Sequence, residues 1–330
     1  MPAGIVGLGS AVPERVLTNR DLERIVETSD EWIRTRTGIR ERRVAAPGET
    51  TTQFGLAAAR RALERARVEP EELDLIIVAT STPDTVFPAT AVRLQAELGA
   101  TRAAGFDLYA ACSGFVYGVD QARHLVEAGA HRKVLVVGVD LLSRITDWSD
   151  RSTCVLFGDA AGAALVGPAP EGLGILASRL GADGRGGSHL YLESPYAHHG
   201  FWNVNGHPMG YTRMNGQEIF KFAVRLLADE TQTLLQEIGA APEDVDLFVP
   251  HQANIRIIDA AAERLGLRPD QVFTNLDRYG NTSTASIPLA LDEAWQAGRL
   301  KPGSLVVSVG FGGGLTWGAM AFRWALGERP

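Results

Sequence analysis

The sequence predicts an α/β fold built from two similar halves that are related by a pseudo-twofold axis. Three observations lead to this prediction. The chain has 330 residues, which is long for a single hydrophobic core. Short, continuous apolar runs alternate with helical patterns, as is typical of mainly parallel sheets that are covered on both faces. Four blocks of sequence also recur in the same order, which divides the chain into residues 1–172 and 173–330.

The first two repeated blocks lead from a turn to the start of a helix. Residues 69–78 and 241–250 each contain a Pro-Glu turn followed by an apolar strand that opens with Asp-Leu. Residues 106–112 and 276–281 occupy the same position in the two halves, each directly before a predicted helix. This alignment pairs Cys112 with Asn281. Because open α/β sheets place their sites at the carboxyl ends of strands, we expect these two turns to border one cleft.

The last two repeated blocks are buried strands separated by glycine-rich turns. Apolar strands are predicted at residues 133–139 and 304–309. Each half then finishes with glycines and a further strand, at residues 158–166 and 312–322. Between them, residues 181–214 are rich in Gly, His and aromatic residues and show little periodicity, so we expect a long surface excursion near the site.

The composition is that of a globular protein, with 45% hydrophobic and 22% charged residues. No apolar run has the length of a membrane span, and the first residues lack the features of a signal peptide. The formal net charge of -7 argues against general affinity for nucleic acid. Cys112 and Cys154 have no CxxC partners and cannot make a disulfide framework. We therefore expect a cytoplasmic protein that binds neither nucleic acid nor membrane.

The common motifs for nucleotides and metals are absent from the sequence. No P-loop motif occurs, and the glycines of residues 4–9 are followed by Pro13 where a dinucleotide-binding helix should run. The histidines near the middle of the chain lack metal-site spacing or a cysteine pair, so we interpret them as loop residues and expect no metal site. These histidines are His189, His198, His199 and His207.

Three separated residues fit acyl chemistry. Cys112 stands where an apolar strand runs into a helix, and the positive end of a helix dipole favours the thiolate that attacks thioesters. Neutral His251 and the amide of Asn281 can donate hydrogen bonds to a carbonyl that becomes an enolate. A backbone N–H in the glycine run 310–314 can join that of Cys112 at a tetrahedral intermediate. Taken singly, the same residues also fit a buried small cysteine, a core histidine, a capping asparagine and a tight turn.

These segments resemble the β-ketoacyl-[acyl-carrier-protein] synthase III family, the initiating condensing enzymes of type II fatty-acid synthesis, within the thiolase superfamily. The resemblance runs from the first strand to nearly the last residue and implies a thiolase-like fold. The motifs that carry it are Thr28-Ser-Asp-Glu-Trp-Ile33, Thr35-Arg-Thr-Gly-Ile-Arg40, Ala111-Cys-Ser-Gly114, Phe157-Gly-Asp-Ala160, Pro250-His-Gln-Ala-Asn254, Gly280-Asn-Thr-Ser283 and Gly312-Gly-Gly-Leu-Thr-Trp-Gly318.

The resemblance implies a reaction in two stages. A short acyl-CoA acylates Cys112, and malonyl-acyl-carrier protein then loses CO₂ and attacks the acyl-cysteine to give a 3-oxoacyl product. Cys112, His251 and Asn281 would form the catalytic triad, with the N–H groups of Cys112 and Gly313 as the acyl oxyanion hole. No external cofactor is implied, because decarboxylation supplies the driving force. A homodimer is expected from the family.

The resemblance also implies binding residues around this triad. An aromatic face and a planar cation would bracket the CoA adenine, with a further cation near its phosphates. The residues implied for CoA are Trp32, Arg36, Arg151, Gln217 and Asn254. Those implied for the acyl pocket are Phe87, Met214 and Phe311, where the bulk of Phe87 predicts short primers. Those implied for an acidic carrier protein are Lys221, Arg225, Arg256 and Arg264, for which a solvated helix face is the alternative.

Other functions are weighed against this one. The closest rival is a condensing enzyme of secondary metabolism, which would keep every motif and change only the substrates. A non-catalytic acyl-binding partner subunit is more remote, because such subunits typically lose the nucleophile. Thiolases use a second cysteine late in the chain, and the second half has none. A papain-like hydrolase also uses Cys, His and Asn, but the duplicated α/β organisation argues against it.

Overall fold

The structure, a computed structural model, describes residues 1–194 and 210–327. Its strands are β1 (Ala3–Ala11), β2 (Val16–Thr18), β3 (Glu41–Arg43), β4 (Leu75–Ala79), β5 (Ala104–Leu108), β6 (Val134–Leu141), β7 (Asp159–Pro168), β8 (Gly174–Ala182), β9 (Leu190–Tyr191), β10 (Arg213–Met214), β11 (Leu247–Phe248), β12 (Leu305–Gly312) and β13 (Thr316–Arg323). Its helices are α1 (Asn19–Leu22), α2 (Asp30–Thr37), α3 (Thr51–Ala66), α4 (Thr90–Leu98), α5 (Gly114–Glu127), α6 (Arg151–Cys154), α7 (Gly216–Glu237), α8 (Ile255–Leu265), α9 (Leu276–Tyr279) and α10 (Ser286–Gln296).

The strands form two large sheets with the same strand order. The first sheet runs β1-β7-β6-β4-β5 and the second runs β8-β13-β12-β11. In both sheets the pair from the repeated apolar blocks is parallel, β6 with β4 and β12 with β11, and the remaining matched pairs are antiparallel. The predicted fold of two duplicated α/β halves is therefore confirmed. The division at residues 172 and 173 stays a prediction.

Corresponding residues of the two halves lie 172 positions apart along the matched strands. Leu75 pairs with Val134 in the first sheet, and Leu247 pairs with Val306 in the second. The Asp-Leu dipeptide that recurs in the sequence has the same structural role in each half. Asp74 accepts two backbone N–H groups just before β6, at 2.7 and 3.0 Å, and the equivalent aspartate of the second half accepts one at the start of β12, at 2.7 Å. The aspartate thus pins one parallel strand to its neighbour.

The helices and sheets form five layers, in the order helix, sheet, helix, sheet, helix. The site lies at the N-terminal end of the two helices in the middle layer. Helices α5 and α10 lie between the two sheets, where Phe115 and Leu291 belong to one buried apolar cluster with strands of both sheets. Burying each such side chain contributes about 1.5–3 kcal/mol. Helix α3 covers the outer face of the first sheet, and α7 and α8 cover that of the second. The N-termini of α5 and α10 consequently meet at the carboxyl ends of the parallel strands.

The turns before α5 and α10 correspond, but with a different alignment from the predicted one. A 3-10 turn precedes each helix, at residues 111–113 and 283–285, and Ala111 and Ser283 both have left-handed backbones, with φ of 44° and 51°. Cys112 is therefore equivalent to Thr284, and pairing it with Asn281 was wrong. The reason is that α9 takes the place of β5 in the second half, so the constant spacing of 172 positions sets Asn281 opposite Tyr109.

Two further sequence predictions are addressed by the described residues. No helix within residues 1–194 and 210–327 has the length and apolar character needed to cross a membrane. The predicted surface excursion lies partly outside these ranges; its described part includes the two-stranded β9–β10 ribbon. His198, His199 and His207 lie outside the described residues. Within the described part of the chain, no group of three or more His, Cys, Asp or Glu side chains is arranged to hold a metal ion.

Candidate active site

The carboxyl ends of the parallel strands open into a cavity of about 1340 Å³ between the two halves. Cys112, His251 and Asn281 all line it, although they are far apart in the sequence. Six of the other predicted site residues also line the cavity. These are Trp32, Arg36, Met214, Asn254, Phe311 and Gly313.

Cys112 is the middle residue of the 3-10 turn that leads into α5, and its side chain is buried. Burial is the largest cause that raises the pKa of its thiol to about 12. A hydrogen bond from Ser283 acts in the opposite direction. Burial therefore favours the protonated thiol, which opposes the effect expected of the helix start. The thiol must lose its proton as it attacks.

The backbone N–H of Cys112 is left open by a glycine. A Cβ atom added to Gly312 would lie 2.5 Å from the nitrogen of Cys112, so any side chain there would cover that N–H group. Gly313 follows on the cavity wall. The hydroxyl of Thr316 lies 2.9 Å from the carbonyl oxygen of Ala110 and 3.2 Å from that of Gly313, which holds the two backbone segments side by side. This arrangement is suited to two N–H donors that converge on one oxygen.

A Gly312→Ala variant is expected to form the acyl-enzyme about 10²–10³-fold more slowly, the usual effect of losing one oxyanion donor. The measurement is the rate at which acyl-CoA adds mass to the intact protein. Gly310→Ala is the matched control on the same strand, because its added Cβ would come no closer than 3.3 Å to any neighbour. Equal rates for both variants would show that the N–H of Cys112 is not an oxyanion donor.

His251 is a buried, neutral imidazole. Burial lowers the pKa of the ring to about 3. Its Nδ1 lies 2.6 Å from the hydroxyl oxygen of Ser286, and the edge of its ring packs against Phe311 with centroids 5.2 Å apart. When Ser286 donates to Nδ1, the proton of the neutral ring is on Nε2. That tautomer makes His251 a hydrogen-bond donor towards the cavity.

Asn281 is oriented by its own turn. Its Oδ1 accepts the backbone N–H of Ser283 at 2.9 Å. Its backbone is fixed as well, because its N–H donates to Leu156 at 2.8 Å and its carbonyl accepts from Gly158 at 2.9 Å. Since the amide oxygen is engaged, the NH₂ group is the part of the side chain that remains to donate. His251 and Asn281 thus supply two uncharged donors to the same cavity.

The mouth of the cavity carries an aromatic ring between cations. The guanidinium carbon of Arg151 lies 4.9 Å from the centre of the Trp32 ring, and that of Arg36 lies 5.8 Å from it. Asn254 caps α8 by accepting the N–H of Arg256 at 2.9 Å, and its amide donates to the carbonyl of Arg36 at 3.1 Å. An aromatic face beside fixed planar cations suits a nucleotide base with phosphates.

Three residues predicted for CoA or the acyl pocket do not line this cavity. Arg151 lies at its edge, over Trp32. Gln217 is exposed on the first turn of α7, where its neighbour Gly216 lines the wall. Phe87 is 86% exposed, and its neighbour Val86 lines the wall. The roles of Gln217 and Phe87 stay predictions.

The predicted basic patch on α7 and α8 is partly neutralised. Lys221 pairs with Glu218 at 2.8 Å, and Arg264 pairs with Asp229 at 2.8 Å. Arg256 packs over the ring of Phe220, with 5.6 Å from its guanidinium carbon to the ring centre. Arg225 is exposed on the same surface.

Sequence reasoning missed four residues that support the site. These are Ser286, Ser283, Gly312 and Thr316, which contact or flank the three catalytic candidates. Ser283, Gly312 and Thr316 stand inside motifs that were recognised, but no spacing or periodicity indicated what they touch. Gly312 and Thr316 contact the other half of the chain, whereas Ser283 and Ser286 contact Asn281 and His251 of their own half.

Comparisons with known proteins agree with this geometry. The family model described as 3-Oxoacyl-[acyl-carrier-protein (ACP)] synthase III matches residues 106–184, and the model of its C-terminal part matches residues 235–324. The β-ketoacyl-[acyl-carrier-protein] synthase III of Symbiobacterium thermophilum is 57% identical over 98% of both chains.

Solved structures show the same likeness. The synthase III crystal structure from Thermus thermophilus superposes with a TM-score of 0.91 at 52% identity, covering 97% of this chain and 99% of that one. The priming β-ketosynthase from the R1128 polyketide biosynthetic pathway superposes with a TM-score of 0.93 at 39% identity, covering 99% of this chain and 97% of that one. With its thiolase-like fold, its catalytic cavity and these relatives over nearly its whole length, the chain belongs to the β-ketoacyl-[acyl-carrier-protein] synthase III family.

Proposed function

We propose that this enzyme starts fatty-acid synthesis by loading a short acyl group from acyl-CoA onto Cys112 and condensing it with malonyl-acyl-carrier protein. One observation carries the assignment of roles. A buried thiol beside an uncovered backbone N–H shares one cavity with two neutral hydrogen-bond donors, His251 and Asn281. The first pair suits thioester exchange, and the second pair suits an enolate.

In the first stage, the sulfur of Cys112 attacks the carbonyl carbon of the acyl-CoA thioester. The N–H groups of Cys112 and Gly313 hold the oxygen of the tetrahedral intermediate. The bond from carbon to the CoA sulfur then breaks, and the proton of the thiol leaves with CoA. One thioester replaces another, so the exchange costs little free energy.

In the second stage, the malonyl thioester binds against His251 and Asn281. The bond between its α-carbon and its carboxylate breaks, CO₂ leaves, and the electron pair becomes an enolate held by the two donors. The α-carbon then attacks the acyl-cysteine carbonyl, and the carbon–sulfur bond to Cys112 breaks. The departing thiolate takes up a proton, which restores the enzyme. Neutral donors are needed because a cationic histidine would hold the starting carboxylate as well as the transition state.

The substrate-binding residues follow from the cavity. Trp32, Arg36 and Arg151 would hold the adenine and phosphates of CoA at its mouth. Met214 and Phe311 line the inner part, where a short acyl chain would lie. We expect no external cofactor, because each step moves electrons only among substrate, thiol and CO₂.

A homodimer is supported by an exposed apolar surface. Strand β5 is the edge of the first sheet, and large apolar side chains around it are exposed, which is unusual for the surface of a monomer. They are Val86, Phe87, Val92, Phe106 and Tyr109. In such a dimer Phe87 would reach the acyl pocket of the partner subunit and favour short primers.

The carrier protein would dock on the cationic side chains of α7 and α8. Arg225 and Arg256 are the stronger candidates, because Lys221 and Arg264 are paired with carboxylates. A cytoplasmic location is proposed from the two unpaired cysteines, Cys112 and Cys154.

A condensing enzyme of secondary metabolism is the second candidate. The polyketide ketosynthase shares the fold at a TM-score of 0.93, so the architecture does not separate the two functions. Identity does favour the first candidate, since the relative from Symbiobacterium thermophilum is 57% identical and the ketosynthase 39%.

The test is intact-protein mass spectrometry with acetyl-CoA or isobutyryl-CoA, followed by malonyl-acyl-carrier protein or buffer. We expect an acyl adduct that discharges with malonyl-acyl-carrier protein and yields 3-oxoacyl-acyl-carrier protein. Discharge in buffer alone would identify a hydrolase instead. An enzyme that takes neither primer but takes a longer or specialised donor would favour the secondary-metabolic function.

A further inference from the structure

Asp140 is a fully buried carboxylate that the mechanism above does not use. It stands near the end of β6, and its side chain joins segments from both halves. Its Oδ1 accepts the backbone N–H of Ser81 at 2.6 Å, from the loop after β4. Its Oδ2 accepts from Thr284, with 3.4 Å to the backbone nitrogen and 3.2 Å to the hydroxyl. Thr284 belongs to the turn that follows Asn281.

The surroundings of Asp140 are polar but uncharged. Among the described residues, its hydrogen-bond partners are backbone N–H groups and hydroxyls, including those of Thr80 and Thr82 at 3.3 and 3.4 Å. No ion pair joins it to a described Lys, Arg or His side chain. Burial raises the pKa of its carboxyl group. A buried carboxylate without a cation is costly, and that cost indicates a specific role for this position.

The pseudo-twofold axis indicates what that role is. Asp140 corresponds to Gly312, as Thr284 corresponds to Cys112, each pair 172 positions apart. In the second half, Gly312 leaves the N–H of Cys112 uncovered for substrate. In the first half, the carboxylate at the matching position instead accepts the N–H of Thr284. The N–H of Cys112 is thus left available to substrate, whereas the equivalent N–H of Thr284 is already bound to Asp140.

The turn that contains Thr284 also orients Asn281. Ser283 donates its backbone N–H to the Oδ1 of Asn281 at 2.9 Å, and Thr284 is bound to Asp140 directly. Thr284 follows Ser283 directly in the chain, so Asp140 is connected to Asn281 through this turn.

Resting on the proposed function, we infer that Asp140 is a positioning residue for decarboxylation: it holds the Asn281–Thr284 turn so that the amide of Asn281 meets the enolate oxygen. It touches neither substrate nor the reacting atoms.

Asp140→Asn is the test variant because it keeps the size of the side chain and one acceptor. In this variant the amide oxygen of the new side chain would accept the N–H of Ser81, and its NH₂ group would face Thr284. The hydroxyl of Thr284 can then donate to the carbonyl oxygen of Ala79, 3.2 Å away, and accept from the new NH₂ group. The N–H of Thr284 is left without its acceptor. We therefore expect a folded protein with a loosened turn.

The expected result is a split between the half-reactions. Release of CO₂ from malonyl-acyl-carrier protein should fall about tenfold or more, while the acylation of Cys112 by acyl-CoA changes much less. A purely structural role would lower both rates together with the folded fraction. Asp159→Asn is the matched control, since Asp159 is also fully buried and accepts backbone N–H groups of Ala45 and Ser143 at 2.8 Å. This control should leave the ratio of the two rates at the wild-type value.

The inference is overturned if Asp140→Asn keeps the wild-type ratio of decarboxylation to acylation. Failure of the proposed function would be seen separately, as loss of both half-reactions in the wild type.

Discussion

A Cys112→Ala variant is expected to accept no acyl group and to form no condensation product, the largest loss that a single substitution should cause here. Only a cysteine side chain can form the acyl thioester. Of the two cysteines of the chain, Cys112 lines the cavity, and Cys154 is buried in a separate apolar cluster with Ile33 and Leu276. The measurement is intact mass after incubation with acyl-CoA, together with the rate of 3-oxoacyl product. We expect no adduct, and product below detection.

Cys154→Ala is the matched control for that experiment. It removes the other thiol of the chain, which is fully buried and whose pKa burial raises to about 11. This variant should keep the adduct and lose only stability, by an amount typical of a small core truncation. Undiminished condensation by Cys112→Ala, or an adduct that disappears in Cys154→Ala alone, would contradict the assignment of the nucleophile.

His251→Ala and Asn281→Ala are expected to retain acylation and to lose decarboxylation. Each variant removes one hydrogen-bond donor to the enolate, so CO₂ release should fall about 10²–10³-fold, equivalent to roughly 3–4 kcal/mol of transition-state stabilisation. Acylation should persist, because its oxyanion is held by backbone N–H groups. The measurement is CO₂ release from malonyl-acyl-carrier protein compared with acyl-enzyme formation on the same preparation.

Folding must be followed alongside these rates. Asn281→Ala also removes the acceptor for the N–H of Ser283, and His251→Ala opens space beside Phe311. Melting temperatures of both variants therefore accompany the kinetics. Wild-type decarboxylation in both variants would remove the roles given to them. A parallel loss of acylation would instead indicate that His251 also serves the first stage as a proton acceptor.

Much of the molecule was predictable from the sequence because local chemistry determined it. The continuous apolar runs indicated strands buried on both faces, and the recurring Asp-Leu blocks indicated duplication, because each aspartate pins a strand in its own half. Cys112 and Asn281 were found because turns of glycine and small residues flank them, and His251 was found in the motif Pro250-His-Gln-Ala-Asn254. Those patterns are contained within short segments, so an inspection of the chain is enough to see them.

The tertiary structure decided what depends on contacts across the pseudo-twofold axis. It showed that Cys112 is equivalent to Thr284, because α9 takes the place of a strand before the second turn. It also showed that Cys112 is buried, which raises the pKa of its thiol. The sequence by itself determined which residues can carry the chemistry. The hydrogen-bond partners, burial and open N–H groups that set their reactivity are decided only by tertiary packing, because the residues in contact, such as Gly312 and Cys112 or Ser286 and His251, are far apart in the sequence.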